Sequence, residues 1–313
     1  MRRVWIRRIA VPSILLALIG ASIFVGCASP VLIATCSKRL VASQSAPIAN
    51  VALTEISGIA ASRLNAGLLW VHNDSGDTAR IFGLDDQGIT HATMSLDGAS
   101  AIDWEDIAVG RGPVASTSYI YVGDIGDNNS VRSEIVVYRV AEPAVNMATS
   151  VTGSLSGVDA MRLRYPDGAH NAESLLVDPA SGDIVVITKS MSGGAQNAYR
   201  VSGSVTPGSL TTMEYLATIT TSPSVFGAIT GADISPNGLQ LALRTYGGVA
   251  VSARPDIGTP LSTFIGGGSK IVACSGPSPS ESQGEAVGFN SNGRGFITVS
   301  EGVGAVLHRF SAP

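Results

Sequence analysis

The chain has 313 residues and a formal net charge of −4; 14% of its residues are charged, 5% are aromatic and 36 are glycine. That balance supplies no basic footprint for nucleic acid. Small residues and frequent turns over this length point to short strands joined tightly, in one large core or a repeat array.

Arg2, Arg3, Arg7 and Arg8 precede an uncharged apolar run over residues 9–25. A basic, then apolar, then small-residue order is that of a secretory signal, removed from the mature fold. At about 17 residues the run is at the lower limit for a membrane span, so an uncleaved anchor is the alternative. The tetrapeptide Phe24-Val25-Gly26-Cys27 resembles the bacterial lipobox, whose Cys receives lipid, palmitate among its acyl chains, and becomes the first residue. The resemblance implies a signal peptide over residues 1–26, lipid on Cys27, and export to the cell envelope with the membrane as partner; plain secretion after a nearby cleavage is the other outcome. After Cys27 no second apolar run of about 18 residues follows. Residues 27–49 read as a tether and 50–313 as the folded body. An exported chain permits a disulfide between Cys36 and Cys274, with two free thiols as the alternative. Neither has a Cys or His at metal-ligand spacing.

One unit recurs along the body: a polar or acidic lead, a short apolar strand, a Gly turn and a second apolar strand. The leads are Ser57-Gly58-Ile59, Glu105-Asp106-Ile107, Glu173-Ser174-Leu175, Asp233-Ile234 and Glu285-Ala286-Val287, and the second strands cover 67–71, 119–122, 183–187, 239–243 and 295–299. Aligned on the first apolar residue, the units begin at 59, 107, 175, 234 and 287. Third strands follow, and in most units a fourth. Four up-and-down strands per unit predict an all-β propeller of five blades, or six if the long second unit hides an irregular blade. A β-sandwich or two small β-domains is the competing architecture. The last unit shows three strands, so an N-terminal strand at residues 51–54 is expected to complete it and remove the open sheet edges.

In a propeller, the loops leading into the innermost strands share a face with the loops between second and third strands. Leading inward are Glu55, Asp103, Glu105, Glu173, Asp233 and Glu285; the other loops bring His72, Asn73, Asp74, Asp124, Asp127, Lys189, Arg244 and Glu301. So many carboxylates at one mouth must raise some pKa values or recruit a cation. Oxygen ligands in this number suit Ca2+, with Glu55, Asp103 and Asp233 as metal ligands and the other loop residues as ligand-binding groups. A second use is hydrolysis by paired acids, with Glu105, Glu173 and Glu285 as catalytic candidates and Trp104 as the one aromatic beside them. A third is a non-catalytic module that binds a protein, a small ligand or an envelope component. Turn-forming and strand-capping roles compete with all three, because Asp and Asn beside Gly favour turns. No Gly-x-Ser-x-Gly elbow, His-Glu-x-x-His helix or P-loop occurs.

The phrases Glu55-Ile56-Ser57-Gly58-Ile59-Ala60, Leu69-Trp70-Val71-His72-Asn73-Asp74-Ser75-Gly76 and Gly284-Glu285-Ala286-Val287-Gly288-Phe289 resemble secreted bacterial propellers of the phytase-like, esterase-like-phytase and YncE-like kinds. The resemblance implies a propeller over residues 50–313, with six blades usual, and implies phosphatase chemistry.

Overall fold

The computed structural model describes residues 30–191, 195–219, 227–266, 274–277 and 281–313; the signal segment and Cys27 lie outside them. The described strands form five sheets. Their innermost strands are Ile56–Ala61, Trp104–Arg111, Ala172–Val177, Ile229–Ile234 and Gly284–Phe289. Each packs on the innermost strand of the next sheet, and the last packs on the first. The chain is a five-bladed β-propeller.

The apolar runs of the sequence follow from this ring. An innermost strand has a neighbouring blade on both sides, so alternate residues enter two different cores. Ile107 and Val109 pack toward the first blade, whereas Ala108 packs toward the third. Leu175 and Leu176 divide in the same way between the second and fourth blades. Five hydrophobic clusters result, one in each wedge between blades. Continuous burial replaces the alternation expected of a sheet with one wet face.

The ring closes by an N-terminal strand, but not at residues 51–54. Val41–Gln44 pairs antiparallel with His308–Ser311 to complete the fifth blade. Residues 51–54 instead form a turn, where the Asn50 side chain accepts from Ala52 N–H and Leu53 anchors the wedge between the fifth and first blades. An Asn side chain that bonds its own backbone two residues on favours a turn over a strand. The actual closing strand lies on the rim with all four residues exposed.

The long second unit hides no sixth blade. Its segment Val151–Leu155 crosses back and pairs parallel with Thr90–Leu96 of the first blade. In the same way Thr211–Thr212 joins the second blade. Extra outer strands therefore account for the spacing.

Residues 30–44, read from sequence as tether, hold both the closing strand and a short helix, Pro30–Cys36. Val31 of that helix is buried in the wedge between blades four and five. Cys36 and Cys274 form a disulfide, which fixes the helix to the outermost strand of blade four. Among the described residues no helix is long and apolar enough to cross a membrane.

Candidate functional site: an acidic channel mouth

All five innermost strands carry the same irregularity at their second residue. The antiparallel register skips Ser57, Glu105, Glu173, Thr230 and Glu285. A bulge re-aims the side chain it carries, so these five form one ring at one end of the channel. Two of them tie neighbouring blades: Ser57 Oγ donates to the Glu105 carbonyl at 2.6 Å, and Thr230 Oγ1 donates to the Gly284 and Glu285 carbonyls at 3.0 and 3.2 Å. The other three are the glutamates that the sequence places in common register, and they are only 2, 3 and 3% exposed.

Around Glu105 the acids crowd. One oxygen from each of Asp74, Asp103 and Glu105 lies within 4.8 Å of the others. Gly126 backs onto this group: a Cβ there would sit 2.3 Å from Glu105 Oε1 and 2.4 Å from Asp103 Oδ2. Across the mouth Glu173 pairs with Lys189 at 2.6 Å, and the Lys189 ammonium lies 5.2 Å from the centre of the Tyr246 ring. Glu285 Oε2 is buried and has no hydrogen-bond partner among the described residues.

Burial and mutual repulsion shift these groups together. Asp74 is pushed up to about 6 by burial, with Asp103, Glu55 and Glu285 adding to it. Glu105 is raised well above the carboxylate range by burial, then by Glu173, Asp74 and Asp103. Burial also raises Asp103 and Glu285, although Arg132 and Lys189 respectively oppose it. Glu301 is pushed to about 7 by burial, then by Glu285, Asp74 and Glu55. Against the cost of its own burial, Lys189 is held protonated by Glu173. Charge interactions thus connect Glu55, Asp74, Asp103, Glu105, Glu173, Glu285 and Glu301 around one opening.

Other residues expected at this mouth have structural work. The Asn73 carboxamide accepts from Thr54 and Glu55 N–H and donates to Ala52 O and Asp77. Asp124 accepts from Ile102 and Asp103 N–H and pairs with Arg132 at 2.8 Å; Asp127 accepts from Arg132 N–H. His72 is fully buried, with Nδ1 on Asn73 O at 2.8 Å, and burial lowers its pKa to about 4, so it is a neutral wall residue. Arg244 is fully buried against Glu281 and does not open on the mouth.

Asp233 is a correction of place. The bulge of its strand falls at Thr230, so Asp233 lies three residues farther along the channel, accepting from Phe289 and Ile234 N–H. It lines a small cavity with Arg63 and Phe289 instead of joining the acid ring. Ser57, Thr230, Gly126 and Tyr246 also belong to the mouth, beyond the residues expected from the sequence. The first two were detectable by aligning polar residues two positions before Ile59 and Ala232.

The raised carboxylates predict an unusual stability profile. Asp74, Glu301 and Asp233, the last pushed to about 7 by burial, retain protons in the fold that the unfolded chain has released. Stability contributed this way is complete below about pH 4 and is lost as pH rises through about 7. Chelator-treated protein should therefore melt higher at about pH 5 than at about pH 8. A melting temperature that climbs steadily across that interval contradicts these assignments.

No family model matches the sequence, and no curated protein matches it. Among solved structures, the chain is similar to a gluconolactonase from Xanthomonas campestris, with 13% identity, a TM-score of 0.48, and coverage of 90% of this chain and 92% of that one. At that score the likeness carries nothing about this chain's site or chemistry. The propeller implied by the resemblance to phytase-like and YncE-like proteins is present, and the comparisons place the chain in no family.

Proposed function

We propose that this is an extracytoplasmic, lipid-anchored propeller that holds a divalent cation, Ca2+, at its acidic mouth. The supporting observation is the triad of Asp74, Asp103 and Glu105, whose oxygens lie within 4.8 Å of one another. The cost of placing three acids there is visible in their raised pKa values. A cation with two positive charges removes that cost. Carboxylate oxygens are hard donors suited to Ca2+, which takes about six to eight oxygen ligands. Glu285, buried on the same ring, adds to the negative charge that a cation would offset at Asp74. The disulfide fits an oxidising compartment, and the lipobox-like residues 24–27 carry the anchoring part of the proposal.

The thermal test is direct. Adding Ca2+ to chelator-stripped protein near neutral pH should raise the melting temperature in a concentration-dependent way. An unchanged melting temperature up to millimolar Ca2+ contradicts the proposal.

Hydrolysis at the same mouth is favoured by one feature: burial raises Glu285 toward the protonated form, and Glu173, which interacts with it and is itself raised by burial to about 7, is drawn back toward the carboxylate by Lys189 at 2.6 Å. A protonated acid near a carboxylate is the pairing that glycoside or phosphate-ester cleavage uses. Turnover of aryl glycosides or aryl phosphates that disappears in Glu285→Gln would establish this use; saturable binding without turnover would leave a binding module.

A further inference from the structure

We infer that the outer edge of blades four and five, around Ile33, Lys38, Arg39, Val41 and Arg294, lies against an anionic phospholipid bilayer and points the acidic mouth away from it. The inference rests on the anchoring proposed above and adds the face on which the body docks.

The first observation is chain length. Only two residues, Ala28 and Ser29, separate Cys27 from Pro30, where the helix begins, and the three steps from Cys27 to Pro30 span at most about 11 Å. The helix is immobilised within that reach. Val31 is buried between blades four and five, and Cys36 is bonded to Cys274. A lipid on Cys27, or an uncleaved apolar run, therefore holds this edge of the propeller close to the membrane surface. A long tether is not available to let the body turn freely.

The second observation is the chemistry of that edge. Ile33 and Val41 are 45 and 58% exposed, and Lys38, Arg39 and Arg294 are exposed beside them. Register joins these residues: Val41 pairs with Ser311, Ser311 with Gly295, and Arg294 reaches the Pro313 carbonyl. Although the whole chain is acidic, residues 28–54, 286–300 and 302–313 contain no Asp or Glu. A basic edge with interspersed apolar side chains suits the headgroup layer of an anionic leaflet. Val41 sits at the end of blade five opposite the mouth, because its partner Ser311 pairs in turn with Gly295, the start of the strand that runs to Ser300 and the mouth residue Glu301.

The test uses full-length chain in vesicles of equal parts phosphatidylglycerol and phosphatidylethanolamine, brominated near the head of the acyl chains. Val41→Trp probes the edge, and Val303→Trp, 64% exposed beside the mouth, probes the far end of the same blade. After subtraction of the parent emission, Val41→Trp should lose about half its fluorescence to the brominated lipid while Val303→Trp keeps its own. Adding Lys38→Glu and Arg39→Glu to Val41→Trp should reduce the quenching while the protein still floats with the vesicles. Floating protein with equal quenching at both probes, or quenching only at Val303→Trp, overturns the docking face alone. Protein that does not float overturns the anchoring proposal and this inference together.

Discussion

Replacing Glu281 with alanine is expected to destabilise the fold by about 3–5 kcal/mol, the cost of leaving a buried charge without its partner. Arg244 is fully buried, and the Glu281 side chain that pairs with it is 2% exposed. Burial already lowers the Arg244 pKa, with Glu281 and Glu285 opposing the shift. Its Nε donates to the Gly284 carbonyl at 3.2 Å, while Nη1 has no hydrogen-bond partner among the described residues. Little slack exists for a substitute: a Cβ on Gly284 would lie 1.5 Å from Arg244 Nη2, so the guanidinium occupies the space a side chain would need. Thr298 Oγ1 also donates to Glu281, at 2.9 Å. Removing both charges in Arg244→Met with Glu281→Gln should cost less than Glu281→Ala alone, because no uncompensated ion remains. Urea unfolding of the three proteins measures the difference. A loss below about 1 kcal/mol for Glu281→Ala would show that water relaxes the pair, and the buried assignment would fail.

Asp103→Asn and Glu105→Gln should each weaken Ca2+ binding on the order of a hundredfold or more, since each removes a charged ligand from the same small group. Neither should destabilise the cation-free protein at neutral pH. Both acids are raised by burial and by surrounding carboxylates, so a neutral amide of the same shape relieves repulsion. That opposite response separates a lost ligand from a damaged fold. Asp86→Asn, 61% exposed at its side chain and paired with Arg309 away from the mouth, should leave affinity unchanged. Acidity sets a further mark. Asp74, at about 6, and Glu105, well above its ordinary range, must lose protons to bind metal. Affinity should therefore rise with pH through about 6 to 7.

Much of the ring was legible because the wedges demand it. Strands such as Leu175-Leu176-Val177 and Ile184-Val185-Val186-Ile187 are apolar on both sides, as their position between two blades requires. The three glutamates were legible for a similar reason: each precedes the first large apolar residue of its unit by two positions. The fourth unit broke that rule. Small Ala232 occupies the place held elsewhere by Ile59, Ile107, Leu175 and Val287, so the alignment slid two residues to Ile234 and carried Asp233 into the ring.

The closing strand was hidden by its own exposure. Val41-Ala42-Ser43-Gln44 lies on an edge, buries no side chain and shows no apolar period, whereas Val51-Ala52-Leu53-Thr54 has strand-like composition but turns after Asn50. Arg244 looked like a mouth residue because its loop belongs to the right face. Sequence could not show that Gly284, across the blade interface, leaves the hole that Arg244 fills. Asp124 and Asp127 were ambiguous in the way that turn acids usually are, and the backbone amides they accept decide their role.

Isothermal titration of Ca2+ into chelator-stripped protein, repeated at about pH 6 in buffers of different ionisation enthalpy, tests the acidic mouth most directly. Saturable binding with net proton release is expected, both much reduced in Glu105→Gln. A flat trace in the parent protein, or binding that Glu105→Gln leaves intact and without proton release, would contradict it.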